Sequence, residues 1–168
     1  EGGSLMRSCA ALLPLVLLVG CEPARTPPPT LRFEGLPVRG SLADAHRAGF
    51  TYCIRDTRSL RCRKKEVMLL GQGPYAAAVD LLYSDGSGGF DALTLWHDRD
   101  QSAVVAVTDL LNKQRWQVCR TGQDENRGDQ EIYTKAGAPV RFSLDLSYWG
   151  KRRLRVLPEL NQPKGHCW

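Results

Sequence analysis

The chain has 168 residues, a formal net charge of +5 and 42% hydrophobic residues. This length suffices for one domain with its own hydrophobic core, and a second domain is not expected. The apolar run over residues 10–20 is shorter than the about 20 residues of a membrane-spanning helix, which excludes that reading of it. Charge is unevenly spread: basic residues exceed acidic ones by ten to three in residues 25–65 and by seven to two in residues 132–168. Acidic residues exceed basic ones by eleven to five in residues 66–131, so an acidic middle lies between two basic segments.

The first feature in chain order is an export signal. Residues 1–5 precede Met6, and Arg7 then leads into the apolar run, a pattern typical of a secretory signal peptide. The run closes with Leu18-Val19-Gly20-Cys21, which resembles the lipobox of bacterial lipoproteins. That resemblance implies cleavage before Cys21, lipidation of its sulfur and anchorage to a membrane. Under the sorting rule of enteric lipoproteins, Glu22 after the lipidated cysteine implies the outer membrane, with the protein facing the periplasm.

The lipobox divides the chain into three parts. Residues 1–20 are upstream residues and signal peptide, residues 21–30 are the lipidated cysteine and a tether, and residues 31–168 form a single β-rich periplasmic domain. Four prolines in residues 22–30 favour an extended tether that rises about 3.1 Å per residue. An exported protein meets little nucleic acid, so we expect no nucleic-acid partner for its basic surface. Anionic lipid head groups or cell-wall polymers are the expected partners of the basic residues, with a merely solvated charged face as the alternative; the residues concerned are Arg61, Arg63, Lys64, Lys65 and residues 151–155.

Local patterns next predict one short helix and then a hairpin. Residues 41–49 form the helix, with Ser41 as its N-cap, Asp44 three residues later and Gly49 as its stop. His46 lies in this helix and is expected on the surface rather than as a metal ligand. Residues 51–55 and 60–68 read as strands that flank a turn at residues 56–59.

The cysteines predict a disulfide framework. Cys9 leaves with the signal and Cys21 takes the lipid, so four cysteines remain for an oxidising compartment: Cys53, Cys62, Cys119 and Cys167. Four cysteines allow three connectivities. A two-residue loop at the 56–59 turn would place Cys53 opposite Cys62 and leave Cys119 for Cys167. No C-x-x-C pair occurs among the four, so neither a metal nor a cofactor is predicted.

The rest of the chain reads mainly as strands. Residues 76–83, 90–96 and 102–108 predict a three-stranded meander, with a flexible Gly-rich loop at residues 85–89. Residues 109–119 are ambiguous between helix and strand, and residues 121–130 form a polar loop. Residues 140–149 alternate apolar and polar side chains as a half-buried strand does, and residues 152–157 return beside it. The predicted fold is mainly β, a small antiparallel sandwich or barrel with one short helix, stabilised by disulfides.

Catalytic signatures are not found. The three histidines, His46, His97 and His166, accompany no nucleophile elbow and no metalloprotease motif, so the chain is predicted not to be an enzyme. Paired carboxylates in the acidic middle remain open as an alternative. Trp149 lies on the polar face of the predicted strand over residues 140–149 and is a candidate for binding a partner.

Residues 50–119 resemble the membrane-bound and periplasmic inhibitors of c-type lysozyme, which are small β barrels. The resemblance rests on Tyr52 beside Cys53, Ser87-Gly88-Gly89-Phe90, Trp96 and Cys119, in the order of the family motifs. The loop tyrosine of the family is absent, because Phe90 comes one place early and Asp91 holds its position. The resemblance implies that Cys53 pairs with Cys119. It also implies that a loop containing Ser87, Gly88, Phe90 and Asp91 enters the cleft of a hydrolase.

The sequence therefore predicts an outer-membrane-anchored periplasmic lipoprotein without enzymatic activity. Its expected partner is a protein such as a cell-wall hydrolase or a toxin, bound in the manner of an inhibitor or immunity protein. The alternative is a structural or assembly lipoprotein of a cell-envelope complex, attached through its basic segments or Trp149.

Overall fold

The computed structural model describes residues 26–121, 130–146, 152–161 and 163–166. Cys21, Trp149 and Cys167 lie outside the described residues. The described elements, in chain order, are β1 (Leu31–Phe33), β2 (Leu36–Arg39), α1 (Leu42–Arg47), β3 (Tyr52–Arg55), β4 (Ser59–Leu69), β5 (Gln72–Leu82), β6 (Leu93–Trp96), α2 (Val105–Lys113), β7 (Gln117–Thr121), β8 (Gln130–Thr134), β9 (Val140–Asp145) and β10 (Leu154–Pro158). Neither of these two helices is long and apolar enough to cross a membrane.

Two antiparallel meanders make up the main sheet. Strands β3 to β6 form the first and β7 to β10 the second, and the two join where β6 pairs with β10. The order is β3-β4-β5-β6-β10-β9-β8-β7, with β1 and β2 in a separate hairpin. The predicted mainly β, antiparallel and disulfide-stabilised fold is confirmed. The sheet stays open rather than closing into a barrel, so β3 and β7 are its edges.

One face of the sheet carries the hydrophobic core. Alternate residues of β5 point to this inner face, as Tyr75, Val79 and Leu81 illustrate, and they are buried together with Ala45 of α1 and Leu111 of α2. Both helices and β2 therefore cover the same face. The residues between these inner positions lie on the opposite, outer face of the sheet.

Helix α1 begins as the sequence predicts. The Ser41 hydroxyl accepts the backbone N–H of Asp44 at 3.2 Å, while the backbone N–H and hydroxyl of Ser41 donate to Asp44 Oδ2 at 2.8 and 2.7 Å. Thr30 Oγ1 adds a hydrogen bond to the same oxygen at 3.0 Å, and Arg47 pairs with Oδ1. Hydrogen bonds from the Ser41 backbone and side chain hold the pKa of Asp44 at about 2. The buried carboxylate of Asp44 thus accepts hydrogen bonds at the N-terminus of α1 and links Thr30 to this helix.

Helix α2 overturns one prediction. The strand predicted for residues 102–108 is wrong, because helix α2 runs from Val105 to Lys113. The β-branched residues there favour a strand locally, but Val104, Val107 and Leu111 recur at helical spacing and are all buried in the core. The ambiguous residues 109–119 contain both the end of this helix and the start of β7. Strands β1, β2 and β8 were not predicted.

The predicted hairpin is present with the predicted register. Tyr52 faces Arg63 and Cys53 faces Cys62. Cys53 and Cys62 form a disulfide, which confirms the pairing favoured by the hairpin turn. The Cys53–Cys119 pairing implied by the inhibitor resemblance is wrong. Cys119 is also disulfide-bonded, and the pairing predicted for Cys167 lies outside the described residues.

Strand β9 keeps the predicted alternation and adds a buried ion pair. Val140, Phe142 and Leu144 are buried, as expected for the inner face. Between them, Arg141 contacts both carboxylate oxygens of Glu159 at 2.9 and 3.1 Å, and the side chain of Glu159 is fully buried. Arg141 also donates to the carbonyl of His166, so one guanidinium ties the C-terminal segment to β9.

We predict that Asp44→Asn destabilises the protein at neutral pH by about 1 kcal/mol or more, because the variant lacks the charged cap. The folded pKa of about 2 lies below the ordinary value of 3.8. The stabilisation is therefore complete above the ordinary value and disappears as the pH falls through about 2. Urea unfolding across this pH range should show that the free energies of unfolding of the parent and the Asp44→Asn variant converge at low pH. Asp109→Asn, at an exposed residue of α2, serves as control, and a pH-independent difference would contradict the assignment.

We predict that Arg141→Ala lowers the free energy of unfolding by about 3–5 kcal/mol, because it leaves the carboxylate of Glu159 buried without its counter-ion. Arg120→Ala is the matched control. Its pair with Glu131 has a guanidinium side chain that is 66% exposed, so its loss should cost about 1 kcal/mol or less. Chemical denaturation measures both, and equal losses would refute a special role for Arg141.

Candidate anion-binding cleft

An open cleft of about 850 Å³ lies on the outer face of the sheet and extends past its edge to Gly49 and Lys64 beside the end of α1. Strands β3, β4, β5 and β6 supply most of its walls, and the segment before β10 supplies Arg153. Five cationic residues line it: Arg61, Arg63, Lys64, Lys65 and Arg153. Two aromatic residues, Tyr52 and Trp96, and the hydroxyl-bearing Thr94 line it as well. The volume falls in the range of small-molecule binding sites.

Small side chains at the centre of the sheet account for the concave shape. In the antiparallel register, Arg63 lies beside Ala78, and Ala78 lies beside Thr94. One row along the strands, Ala76 lies beside Trp96. Alanine on β5 therefore separates long basic side chains on β4 from an aromatic side chain on β6. Because Ala78 and Thr94 are 1% and 7% exposed, they lie at the floor of the outer face rather than on its rim.

The charge of the cleft is only partly neutralised. Arg61 forms two hydrogen bonds with Asp80, at 2.6 and 2.8 Å, and this contact raises the pKa of its guanidinium further. Lys64 donates to the carbonyl of Ala48 at 2.9 Å, which leaves its positive charge unpaired. Within the described residues, Lys64 and three further lining cations form no ion pair: Arg63, Lys65 and Arg153.

The acid in the cleft has a structural contact of its own. Asp98 Oδ1 accepts the indole N–H of Trp96 at 2.9 Å. That hydrogen bond fixes the orientation of the indole at the side of the cleft. The cleft consequently combines a surplus of positive charge with an oriented aromatic ring.

Arg63 offers the cleft a hydrogen-bond donor that no described residue uses. Its Nε atom is buried and has no hydrogen-bond partner among the described residues. Burying a polar group without a partner is costly, and the cost is greater for a charged group. An anionic oxygen placed in the cleft would satisfy this donor and would meet the unpaired charges around it.

The sequence analysis named all five of these cations but did not predict the cleft. Arg61, Arg63 and Lys65 recur at every second residue, which is the signal that places them on one face of a strand. Arg153 comes from the second predicted basic segment, of which Lys151 lies outside the described residues. Tyr52, Thr94 and Trp96 were missed as lining residues, because only the pairing of β4, β5 and β6 places them beside these cations.

The Gly-rich loop is less available to a partner than the inhibitor resemblance implies. Phe90 is 2% exposed and belongs to the core, so its predicted role in partner binding is not supported by its position. The hydroxyl of Ser87 is buried and has no hydrogen-bond partner in the described part of the chain, and Gly88 packs against Leu82 and Tyr83. Asp91 is exposed, as a partner-binding residue must be.

The end of the proline-rich segment also packs against this loop. Pro27 and Pro28 are half-buried, and a Cβ on Gly89 would lie 3.1 and 2.5 Å from their side-chain atoms. The same Cβ would lie 2.4 Å from the carbonyl oxygen of Gly40, so only glycine fits. The described part of the predicted tether therefore lies on the domain.

Comparisons with protein-family models, curated protein sequences and solved structures find no match to this chain. The function is therefore argued from the chemistry of the cleft.

Proposed function

We propose that this chain is a non-enzymatic binding protein of the bacterial cell envelope, and that its cleft binds an anionic saccharide. The ligand class is a sugar that carries phosphate or carboxylate groups, as envelope polymers and lipid head groups do. Anchorage to the outer membrane through Cys21 completes the proposal, and it rests on the lipobox Leu18-Val19-Gly20-Cys21.

The observation that carries this proposal is the group of five cations in the cleft, among which Arg63 has a buried Nε without a partner among the described residues. A guanidinium matches the planar geometry of a carboxylate or phosphate better than an ammonium does. Arg153 and Lys65 bring two more positive charges to the same cleft, and neither forms an ion pair with a described residue. An extended anion can therefore contact several cations at once.

The aromatic side chains favour a saccharide over a bare anion. Tyr52 is 66% exposed, and Trp96 is held at its indole nitrogen by Asp98, so both offer ring surface to a ligand. Sugar rings have apolar faces that gain from burial against such surface. Thr94 adds a hydroxyl that can donate to or accept from a sugar hydroxyl.

We predict that a phosphorylated disaccharide binds the full-length protein and that its dephosphorylated counterpart binds much more weakly. Arg63→Gln should weaken binding about 10-fold or more, the equivalent of one lost hydrogen bond between charged groups. Isothermal titration at two salt concentrations measures both effects, because screening weakens an electrostatic complex.

Arg58→Gln is the matched control, since it removes the same charge at an exposed position in the β3–β4 turn, away from the cleft lining. Its affinity should stay within about 2-fold of the parent, a change of less than 0.5 kcal/mol. Equal affinity of the Arg63→Gln variant and the parent would refute the proposal, as would equal binding of the neutral disaccharide.

A protein partner is the second candidate, favoured by a group of exposed apolar side chains. Ile54, Leu82 and Tyr83 are 42%, 62% and 43% exposed at the end of the sheet next to the Gly-rich loop. Leu82 and Tyr83 touch Gly88 of that loop, and Asp91 is exposed after it. Such a surface suits contact with a cell-wall hydrolase or toxin, or with an envelope assembly.

For the inhibitor form of this second candidate, we predict that the protein slows lysis of cell-wall substrate by c-type lysozyme. The double change Ser87→Ala, Asp91→Ala and the single change Leu82→Asp should each reduce inhibition about 10-fold or more, as loss of an interface hot spot does. Undiminished lysis with the parent protein would eliminate lysozyme inhibition and would favour attachment to an envelope assembly. Co-purification with a membrane complex, lost on neutralising residues 151–155, would support that attachment.

A further inference from the structure

Three potential metal ligands converge beside the β3–β4 hairpin. His46 Nε2 lies 3.6 Å from Cys53 Sγ, and the ligand atoms of His46, Cys53 and Cys62 all lie within 4.8 Å of one another. His46 is exposed, Cys53 is half-buried and Cys62 is buried. The group therefore has one side open to solvent and one side closed by the core.

The surrounding structure holds these residues in place. Lys64, two residues after Cys62 on β4, donates to the carbonyl of Ala48 at the C-terminus of α1. The capping box at Ser41 fixes the other end of the same helix. His46 is thus carried on a short helix that is fastened at both ends, once to the strand that carries Cys62.

We infer that the dithiol form of the Cys53–Cys62 pair, together with His46, is a binding site for Zn²⁺ or a similar soft divalent cation. Thiolate and imidazole are the ligands that Zn²⁺ prefers. Bond lengths of about 2.3 Å to sulfur and about 2.0–2.1 Å to nitrogen place the two atoms about 3.5 Å apart in a tetrahedral site. The separation of 3.6 Å between Cys53 Sγ and His46 Nε2 already matches that value.

Reduction converts the Cys53–Cys62 disulfide into the two thiols that the site requires. A dithiol reductant breaks the Cys53–Cys62 bond, gives up two electrons and two protons, and is itself oxidised to a disulfide. Zn²⁺ then displaces the protons of both thiols. Because the cysteines face each other on paired strands with Cα atoms 4.0 Å apart, side-chain rotation suffices to bring both sulfurs onto one ion.

The three residues leave the fourth tetrahedral position for water or an external ligand. His46 is the exposed member, so this position faces solvent rather than the core. The disulfide and the metal exclude each other, and the site therefore binds metal only in the reduced protein.

The test compares oxidised and reduced full-length protein with Co²⁺ and Zn²⁺ as probes. Reduced protein should bind one Co²⁺ with a thiolate-to-cobalt charge-transfer band, and oxidised protein should show no such band. His46→Ala should weaken Zn²⁺ binding by more than the about 10–100-fold loss that outer-shell changes cause. His166→Ala, at an exposed histidine outside the site, should leave the affinity unchanged.

Alkylation with peptide mapping gives a second readout that does not depend on spectra. Zn²⁺ should protect Cys53 and Cys62 of the reduced protein from iodoacetamide, while Cys119 in the same sample is modified to the same extent with and without metal. If reduction unfolds the protein, Zn²⁺ should restore its circular dichroism, because metal binding supplies folding free energy. Failure to protect the two cysteines, or equal protection in His46→Ala, would overturn the inference.

Discussion

The register of the β3–β4 hairpin is the constraint on which both candidate sites depend. Pairing Tyr52 with Arg63 places the next pair, Cys53 and Cys62, on the opposite face of the sheet. A shift of one residue would exchange the two faces, burying a guanidinium in the core and exposing the cysteines. The disulfide and the apolar inner residues of β4 hold this register, so the chemistry of each face follows from one alignment.

The pairing of β6 with β10, where the two meanders join, adds a cation from the second meander to the cleft. Strand β10 pairs with β6 and not with β4. This pairing nevertheless brings Arg153, just before β10, to a cleft whose other cations lie on β4. Two basic segments far apart in sequence thereby share one surface. The alanines of β5 between them keep that surface open, because any larger side chain there would fill the cleft.

The buried carboxylates of the fold have hydrogen-bond partners within the protein. Asp44 is buried and accepts three hydrogen bonds at one oxygen, and Glu159 is buried against a guanidinium and a backbone N–H. Both contacts tie terminal segments to the sheet or to its covering helix. The buried Nε atoms of Arg39 and Arg63 have no hydrogen-bond partner among the described residues, and of these two arginines only Arg63 lines the cleft. Because the cleft is open, an external acceptor can reach the Arg63 guanidinium there.

The sequence by itself determined the features that depend on near neighbours. The cap at Ser41, the β3–β4 turn with its cysteine pair, and the alternation of Val140, Phe142 and Leu144 are local patterns, because turn geometry and strand periodicity act over a few residues. Only the tertiary structure decided that residues 105–113 are helical, since β-branched propensity was overridden by burial at helical spacing. It also decided that Phe90 packs in the core, that Arg153 joins the cleft, and that His46 approaches Cys53. These placements depend on strand order and helix docking, which contacts between residues distant in the chain establish and local patterns do not encode.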